Sequence, residues 1–107
     1  MDDQRMLELA AKSAGLEPKS EGVICAGFGA REWNPLTDDG DAFRLMLATG
    51  VGFILDDEFV NVFRCGHELL VDLCEYYANN GGDKCAATRR AITRAAAAIQ
   101  LAKESGK

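Results

Sequence analysis

The chain has 107 residues, 48% of them hydrophobic, which is enough for one domain with a single core over residues 1–107. Its formal net charge of -5 argues against a nucleic-acid binder that relies on phosphate contacts, and fits a basic protein partner or solubility alone. No window is long and apolar enough to cross a membrane, and no basic region followed by an apolar run opens the chain. We therefore expect a cytoplasmic protein without a membrane partner.

The cysteine pattern argues against a metal site. No C-x-x-C pair occurs, and the single histidine, His67, cannot complete a Cys2His2 set. Without a secretory signal, free thiols packed as small hydrophobes are favoured over two disulfides. We predict no metal and no other cofactor. The cysteines are Cys25, Cys65, Cys74 and Cys85.

The N-terminal third predicts a helix followed by a small hairpin. Apolar residues recur at helical spacing from Asp3 to Leu16, with Asp2 or Asp3 as the N-cap. A polar loop with Pro and Gly follows over residues 17–22. Strands are then predicted over Val23–Phe28 and Arg31–Trp33, joined by a short turn.

A corner around Pro35 separates this hairpin from the second helix. Pro35 disfavours helical geometry at the residue before it, so the strand ends there. Asp38 lies within a run of capping residues and is predicted to start the helix, which Gly50 closes in a left-handed conformation. Trp33 abuts this corner, and core packing against the second helix is its favoured role.

The middle of the chain predicts three antiparallel strands. β-Branched and aromatic residues at Val51–Leu55 and Phe59–Arg64 flank an acidic turn at residues 56–58. His67–Tyr76 alternates apolar and polar residues, with Leu73 on the face predicted to be buried. A helix over Glu68–Tyr77 stays open as the alternative, because the same apolar residues also fit a helical period.

The last segment predicts one long helix over Lys84–Lys103, preceded by a loop that ends at the N-cap Asp83. The complete order is α-β-β-α-β-β-β-α, so we predict the α+β class, with an antiparallel sheet of three to five strands packed with helices. The predicted core stripe of the last helix comprises Thr88, Ala91, Ile92, Ala95, Ala96, Ile99 and Ala102.

No segment carries a complete set of catalytic residues, so we expect no enzyme. Cys65 and His67 could share one strand face and act as nucleophile and base, but Gly66 between them favours a turn that separates the two. Acidic clusters at residues 38–41 and 56–58 fit helix capping and a solvated turn better than a calcium loop.

Two groups of side chains are candidate contacts for a partner. Arg89, Arg90 and Arg94 form the one basic patch, which suits either an anion or acidic partner, or simply a solvated helix face. Trp33, Tyr76 and Tyr77 are candidate aromatic contacts, because Trp and Tyr are enriched in interface centres.

Two segments resemble a group of short proteins encoded by bacteriophages and prophages. Residues 33–42 read W-N-P-x-x-D-x-x-D-A, and residues 86–96 read A-A-T-R-R-A-I-x-R-A-A. Both are similar to proteins of the phage ABA-sandwich type. The resemblance implies layers of helix, sheet and helix and a setting in the cytoplasm of an infected bacterium. It implies no mechanism, because the group has no established activity.

Three functional hypotheses follow. The first is a non-enzymatic phage accessory protein that binds a host or phage protein, with inhibition of an antiviral defence as one role. The alternative is a binder or sequestering protein for a small anionic ligand, with Arg89, Arg90 or Arg94 beside the pocket. The third, ranked below both, is a small cysteine-dependent enzyme. Homo-oligomerisation stays open in each case.

Overall fold

A computed structural model describes residues 2–16, 32–64 and 72–105. These residues form α-helices and an antiparallel sheet, which confirms the predicted α+β class. The predicted hairpin of Val23–Phe28 and Arg31–Trp33 lies outside the described residues, apart from Glu32, which makes a single β-bridge, and Trp33, which is in no strand. The elements are α1 (Asp3–Ser13), α2 (Asp39–Thr49), β1 (Val51–Leu55), β2 (Phe59–Arg64), β3 (Asp72–Tyr76), a 3-10 helix (Tyr77–Asn80) and α3 (Lys84–Glu104).

Each α-helix begins at an aspartate that caps it. The side chain of Asp2 accepts from the backbone N–H of Arg5, and the carboxylate of Asp83 accepts from two N–H groups in the first turn of α3. Asp38 caps α2 in the same way, at the predicted residue. Gly50 closes α2 with φ 78°, so this predicted stop is also confirmed.

The sheet has the strand order β1-β2-β3, with both pairs antiparallel. The acidic turn is closed by a bond from Asp56 N–H to the carbonyl of Phe59, at 2.8 Å between N and O. The strand prediction is confirmed for Asp72–Tyr76, and the helical alternative is wrong for those residues. Residues 65–71 lie outside the described part.

α3 is the central element, because it contacts α1, α2 and all three strands. Because helices and strands pack on several sides of α3, more of its circumference is buried than the core stripe predicted from the sequence. Ala87, Thr93 and Ala97 are buried, although the stripe omits them, whereas Thr88 is half-buried. Ala102, predicted to be in the core, is exposed near the end of the helix. Alanines let the neighbouring backbones approach closely.

Two cysteines differ from the sequence-based expectation. Cys74 and Cys85 are free thiols, as predicted, but both are exposed rather than packed in the core. Cys25 and Cys65 lie outside the described residues. Among the described helices, none is long and apolar enough to cross a membrane.

Candidate functional site

The corner before α2 is held by hydrogen bonds to the Asn34 and Asp41 side chains. Asp41 is fully buried, and its carboxylate accepts from the Asn34 backbone N–H and from a guanidinium N–H of Arg44, both at 2.9 Å. The Asn34 side-chain oxygen accepts from the N–H of Leu36 at 3.0 Å. Pro35 and Trp33 are buried at this corner. The W-N-P-x-x-D-x-x-D motif is therefore accounted for by structural contacts.

The acidic residues of this corner cap and brace the chain, as the sequence suggested. Asp38 accepts from the Asp41 N–H at 2.8 Å, while Asp39 accepts from a guanidinium N–H of Arg89 at 2.7 Å. Across the described ranges 2–16, 32–64 and 72–105, no three His, Cys, Asp or Glu side chains come close enough together to hold a metal ion.

Arg89, the first residue of the predicted basic patch, joins α3 to the corner. Its Nε donates to the carbonyl of Leu36 at 2.9 Å, in addition to the ion pair with Asp39. The side chain is only 18% exposed. Arg89 is therefore engaged by the chain's own groups.

Arg90 and Arg94 are engaged on the opposite side of α3. Arg94 forms an ion pair with Glu75 of β3, and Arg90 forms one with Asp3 of α1 at 3.0 Å. Glu75 is 8% exposed and also accepts from the Asn80 side-chain amide at 3.1 Å. Two guanidinium groups thus face two carboxylates, which leaves little local charge for an anionic ligand.

A cleft of about 430 Å³ lies beside these two arginines, between α3, α1 and β3. Glu75 lies within it, next to both guanidinium groups. The remaining lining side chains are apolar: Met6, Leu73, Ala97, Ala98 and Leu101.

The three candidate aromatic contacts lie in different environments. Trp33 and Tyr77 are 4% and 7% exposed, so both are core residues and neither presents a surface ring. The Tyr77 hydroxyl donates to the carbonyl of Asp56 at 2.8 Å. Tyr76 is 48% exposed and packs on Phe59 with ring centroids 5.5 Å apart. Tyr76 is thus the surface member of the set.

Most of the large apolar side chains that are exposed among the described residues lie on α2 and β1. Phe43 and Leu47 are one helical turn apart and point outward, although they lie in the same wide arc of apolar residues as the buried Ala42 and Leu45. The width of this arc was the available signal for exposed apolar residues. A helix that is buried on one side cannot bury so broad an arc, so part of the arc must be exposed. The α2–β1 surface comprises Phe43, Met46, Leu47, Phe53 and Leu55.

A groove of about 270 Å³ runs along the α2–β1 surface. Phe43 and Met46 form one wall, and Phe53 and Leu55 of β1 form another. Residues of the first turns of α3, among them Ile92, complete the lining. Charged groups at its margins are the ion-paired Asp39 and Arg89, and Lys84, whose ammonium lies over the Tyr77 ring. The groove suits an apolar side chain better than an ion.

Cys65 and His67, the candidate nucleophile and base, lie outside the described residues. No known protein family, characterised protein or solved structure matches this chain.

Proposed function

We propose that this chain is a non-enzymatic bacteriophage accessory protein that binds a host or phage protein through the α2–β1 surface, in the cytoplasm of the infected bacterium. The observation that carries the proposal is the exposure of Phe43 (55%) and Leu47 (65%) beside an apolar groove. Exposed apolar side chains that cluster next to a groove are typical of protein-binding surfaces. The phage setting rests on the resemblance of residues 33–42 and 86–96.

The groove and its surroundings support a partner of particular chemistry. A volume of about 270 Å³ accommodates a large apolar side chain as an anchor. The exposed acidic turn, Asp56 to Glu58, directly follows Leu55 of the same surface. We therefore propose a partner segment with an apolar anchor flanked by Lys or Arg, which also suits the net charge of -5.

Binding alone is sufficient for the biological role that we propose. A protein that covers a functional surface of a defence component blocks that component sterically, without a catalytic group. The arginines of α3 take no direct part in this proposal, because Arg89, Arg90 and Arg94 are all ion-paired within the chain.

The test is affinity capture from infected cells with the tagged full chain and two variants. We expect the wild type to retain one partner, identified by mass spectrometry, and Phe43→Asp with Leu47→Asp to lose it. Leu101→Asp is the matched control, because Leu101 is also exposed (37%) but lies outside the α2–β1 surface. The purified partner should bind the wild type and Leu101→Asp with similar affinity and the double variant much more weakly. Equal capture by all three proteins would contradict the proposal, as would capture of nothing together with normal growth of the deletion phage in every defended host.

A second candidate function is the binding of a small anionic ligand. The cleft of about 430 Å³ beside Arg90 and Arg94 favours it. Such a ligand would share the guanidinium groups with Glu75. If nucleotides raise the melting temperature of the wild type and of Lys103→Gln but not of Arg94→Gln, this candidate gains support. An unchanged melting temperature in all three proteins would contradict it.

A further inference from the structure

β1 forms one edge of the sheet, and no other described strand pairs with its outer side. A strand edge presents backbone N–H and C=O groups that can pair with a strand of another molecule. Edges of monomeric proteins are commonly protected by a charged residue, a proline or a bulge. β1 has the sequence Val-Gly-Phe-Ile-Leu, and Phe53, Ile54 and Leu55 are 39%, 60% and 53% exposed. Among the described residues, this edge has none of these protections.

We propose that two copies of this chain pair through their β1 strands, antiparallel and centred on Phe53, to form a symmetric dimer. A twofold axis presents the same surface to both partners, so an edge can pair with itself only if it is self-complementary in shape and charge. The contacts of β1 meet both conditions.

Shape complementarity follows from the register. Pairing centred on Phe53 puts the two Phe53 rings opposite each other and Leu55 opposite Val51 of the second copy. Ile54 then faces Gly52 of the second copy, so the most exposed side chain of β1 meets the residue without a side chain. The Phe63 ring lies 3.7 Å from the point where a Cβ on Gly52 would stand. Gly52 and Phe63 therefore form an apolar surface against which Ile54 of the second copy packs.

Charge complementarity follows from the two ends of β1. The acidic turn from Asp56 to Glu58 follows its last residue, and in this register Asp56 falls opposite Gly50 of the second copy. Arg64 pairs with Val51 in the sheet. Its Nε lies 3.8 Å from the point where a Cβ on Gly50 would stand. Within the described part of the chain, no salt bridge involves Arg64. The acidic turn of each copy therefore meets Arg64 of the other, and this happens twice in the dimer.

This inference goes beyond the proposed function and can fail independently of it. Phe43 and Leu47 stay outside the β1 pairing, so a dimer presents two partner-binding surfaces. Phe53, Leu55 and the acidic turn belong to both regions, so variants there do not separate the two proposals. Ile54 points to the opposite face of the sheet from the groove. Variants at Ile54 thus test the dimer and leave the α2–β1 surface intact.

Sedimentation equilibrium of the full chain is the first test. We expect a mass of twice the 11.5 kDa of one chain, and a return to one chain in Ile54→Lys, which still captures the partner. Leu101→Lys is the control that stays dimeric. Arg64→Glu should weaken the dimer by about tenfold, and adding Asp57→Lys and Glu58→Lys should restore it. A wild-type monomer at the highest soluble concentration would overturn the proposal, as would a dimer unaffected by Ile54→Lys.

Oxidative cross-linking tests the register. Phe53→Cys should form a disulfide across the twofold axis, because residues directly opposite have Cβ atoms about 5 Å apart. Leu55→Cys should not, because Leu55 meets Val51 and lies roughly 13 Å from its own counterpart. Both variants carry Ser in place of the four native cysteines, Cys25, Cys65, Cys74 and Cys85, so that only the introduced thiols can cross-link. Cross-linking at position 55 and not at 53 would overturn the proposed pairing.

Discussion

The two sides of α3 differ in whether their surface side chains have partners within the chain. On the side of α1 and β3, Arg90 and Arg94 are paired with Asp3 and Glu75, so the most basic stretch of the sequence has little free charge. On the side of α2 and β1, large apolar side chains such as Leu47 stay exposed beside a groove. Charge density in the sequence therefore marks internal contacts, whereas the unmatched apolar surface is where we propose that a partner binds.

Trp33→Ala tests the buried core beneath α2 and has the largest expected effect on stability. Trp33 is 4% exposed in the same core as Ala42 and Leu45 of α2, so truncation leaves a large cavity. We expect a loss of about 3–5 kcal/mol in the free energy of unfolding. The melting temperature should fall by roughly 10 °C or more.

Phe43→Ala is the matched control for this prediction, since it removes an aromatic ring from the outer side of α2. Because Phe43 is 55% exposed, the change in stability should be about 0.5 kcal/mol or less. Equal losses in the two variants, measured by thermal denaturation, would show that the α2–β1 surface is not a free surface.

The double variant Arg90→Glu with Arg94→Glu removes the ion pairs to Asp3 and Glu75 on the α1 and β3 side of α3. Sequence alone predicts an almost unchanged stability, because the two residues lie beside the predicted core stripe. The structure changes that expectation, since Glu75 is 8% exposed and would face two carboxylates. Discounting for arginines that are a third or more exposed, we expect a loss of about 2 kcal/mol or more.

The control for the charge reversal is Lys12→Glu with Lys103→Glu, which changes the net charge equally. Both lysines are exposed, and the pair between Lys12 and Glu104 is 3.6 Å long. This variant should lose about 1 kcal/mol or less in urea denaturation. If the arginine variant is no less stable than the lysine variant, Glu75 does not depend on its partners.

Asp41→Asn tests whether the corner before α2 depends on charge or on shape. The amide has the same size, but it weakens the bonds from the Asn34 N–H and from Arg44 at a fully buried position. We expect a loss of about 1–3 kcal/mol. Asp39→Asn, two residues away with a side chain 76% exposed, should cost about 1 kcal/mol or less in the same urea titration.

Local signals explain which parts of the fold the sequence predicted correctly. The Asp38 cap, the Gly50 stop and the strands at Val51–Leu55 and Phe59–Arg64 depend on neighbours in sequence, and the structure has all of them. Strand alternation also extends the buried face from Leu73 to Glu75, a signal that could have identified Glu75 as a buried partner.

Contacts between distant residues explain what the sequence missed. The pair between Arg90 and Asp3 joins residues 87 positions apart, and no local pattern indicates it. The groove is similarly built from three elements, α2, β1 and α3. The wide apolar arc of α2 indicates that part of it is exposed, but only the placement of α2 against α3 decides that Phe43 and Leu47 are the exposed residues.

Gln100→Ala has the smallest expected effect and separates the surface pairs of Glu104 from the buried pair at Glu75. The side-chain amide of Gln100 donates to Glu104 at 3.1 Å and, together with the charges of Lys12 and Arg5, lowers the pKa of that carboxyl below its usual value of 4.5. A lowered folded-state pKa stabilises the fold above the unfolded pKa, and this contribution is lost as the pH falls through the folded pKa. Gln100→Ala should move the pKa of Glu104 back towards 4.5 in an NMR titration. Gln4→Ala, which removes the equivalent bond to Glu8 in α1, should leave the pKa of Glu104 unchanged, and a shift there would show that α1 and α3 are coupled beyond these pairs.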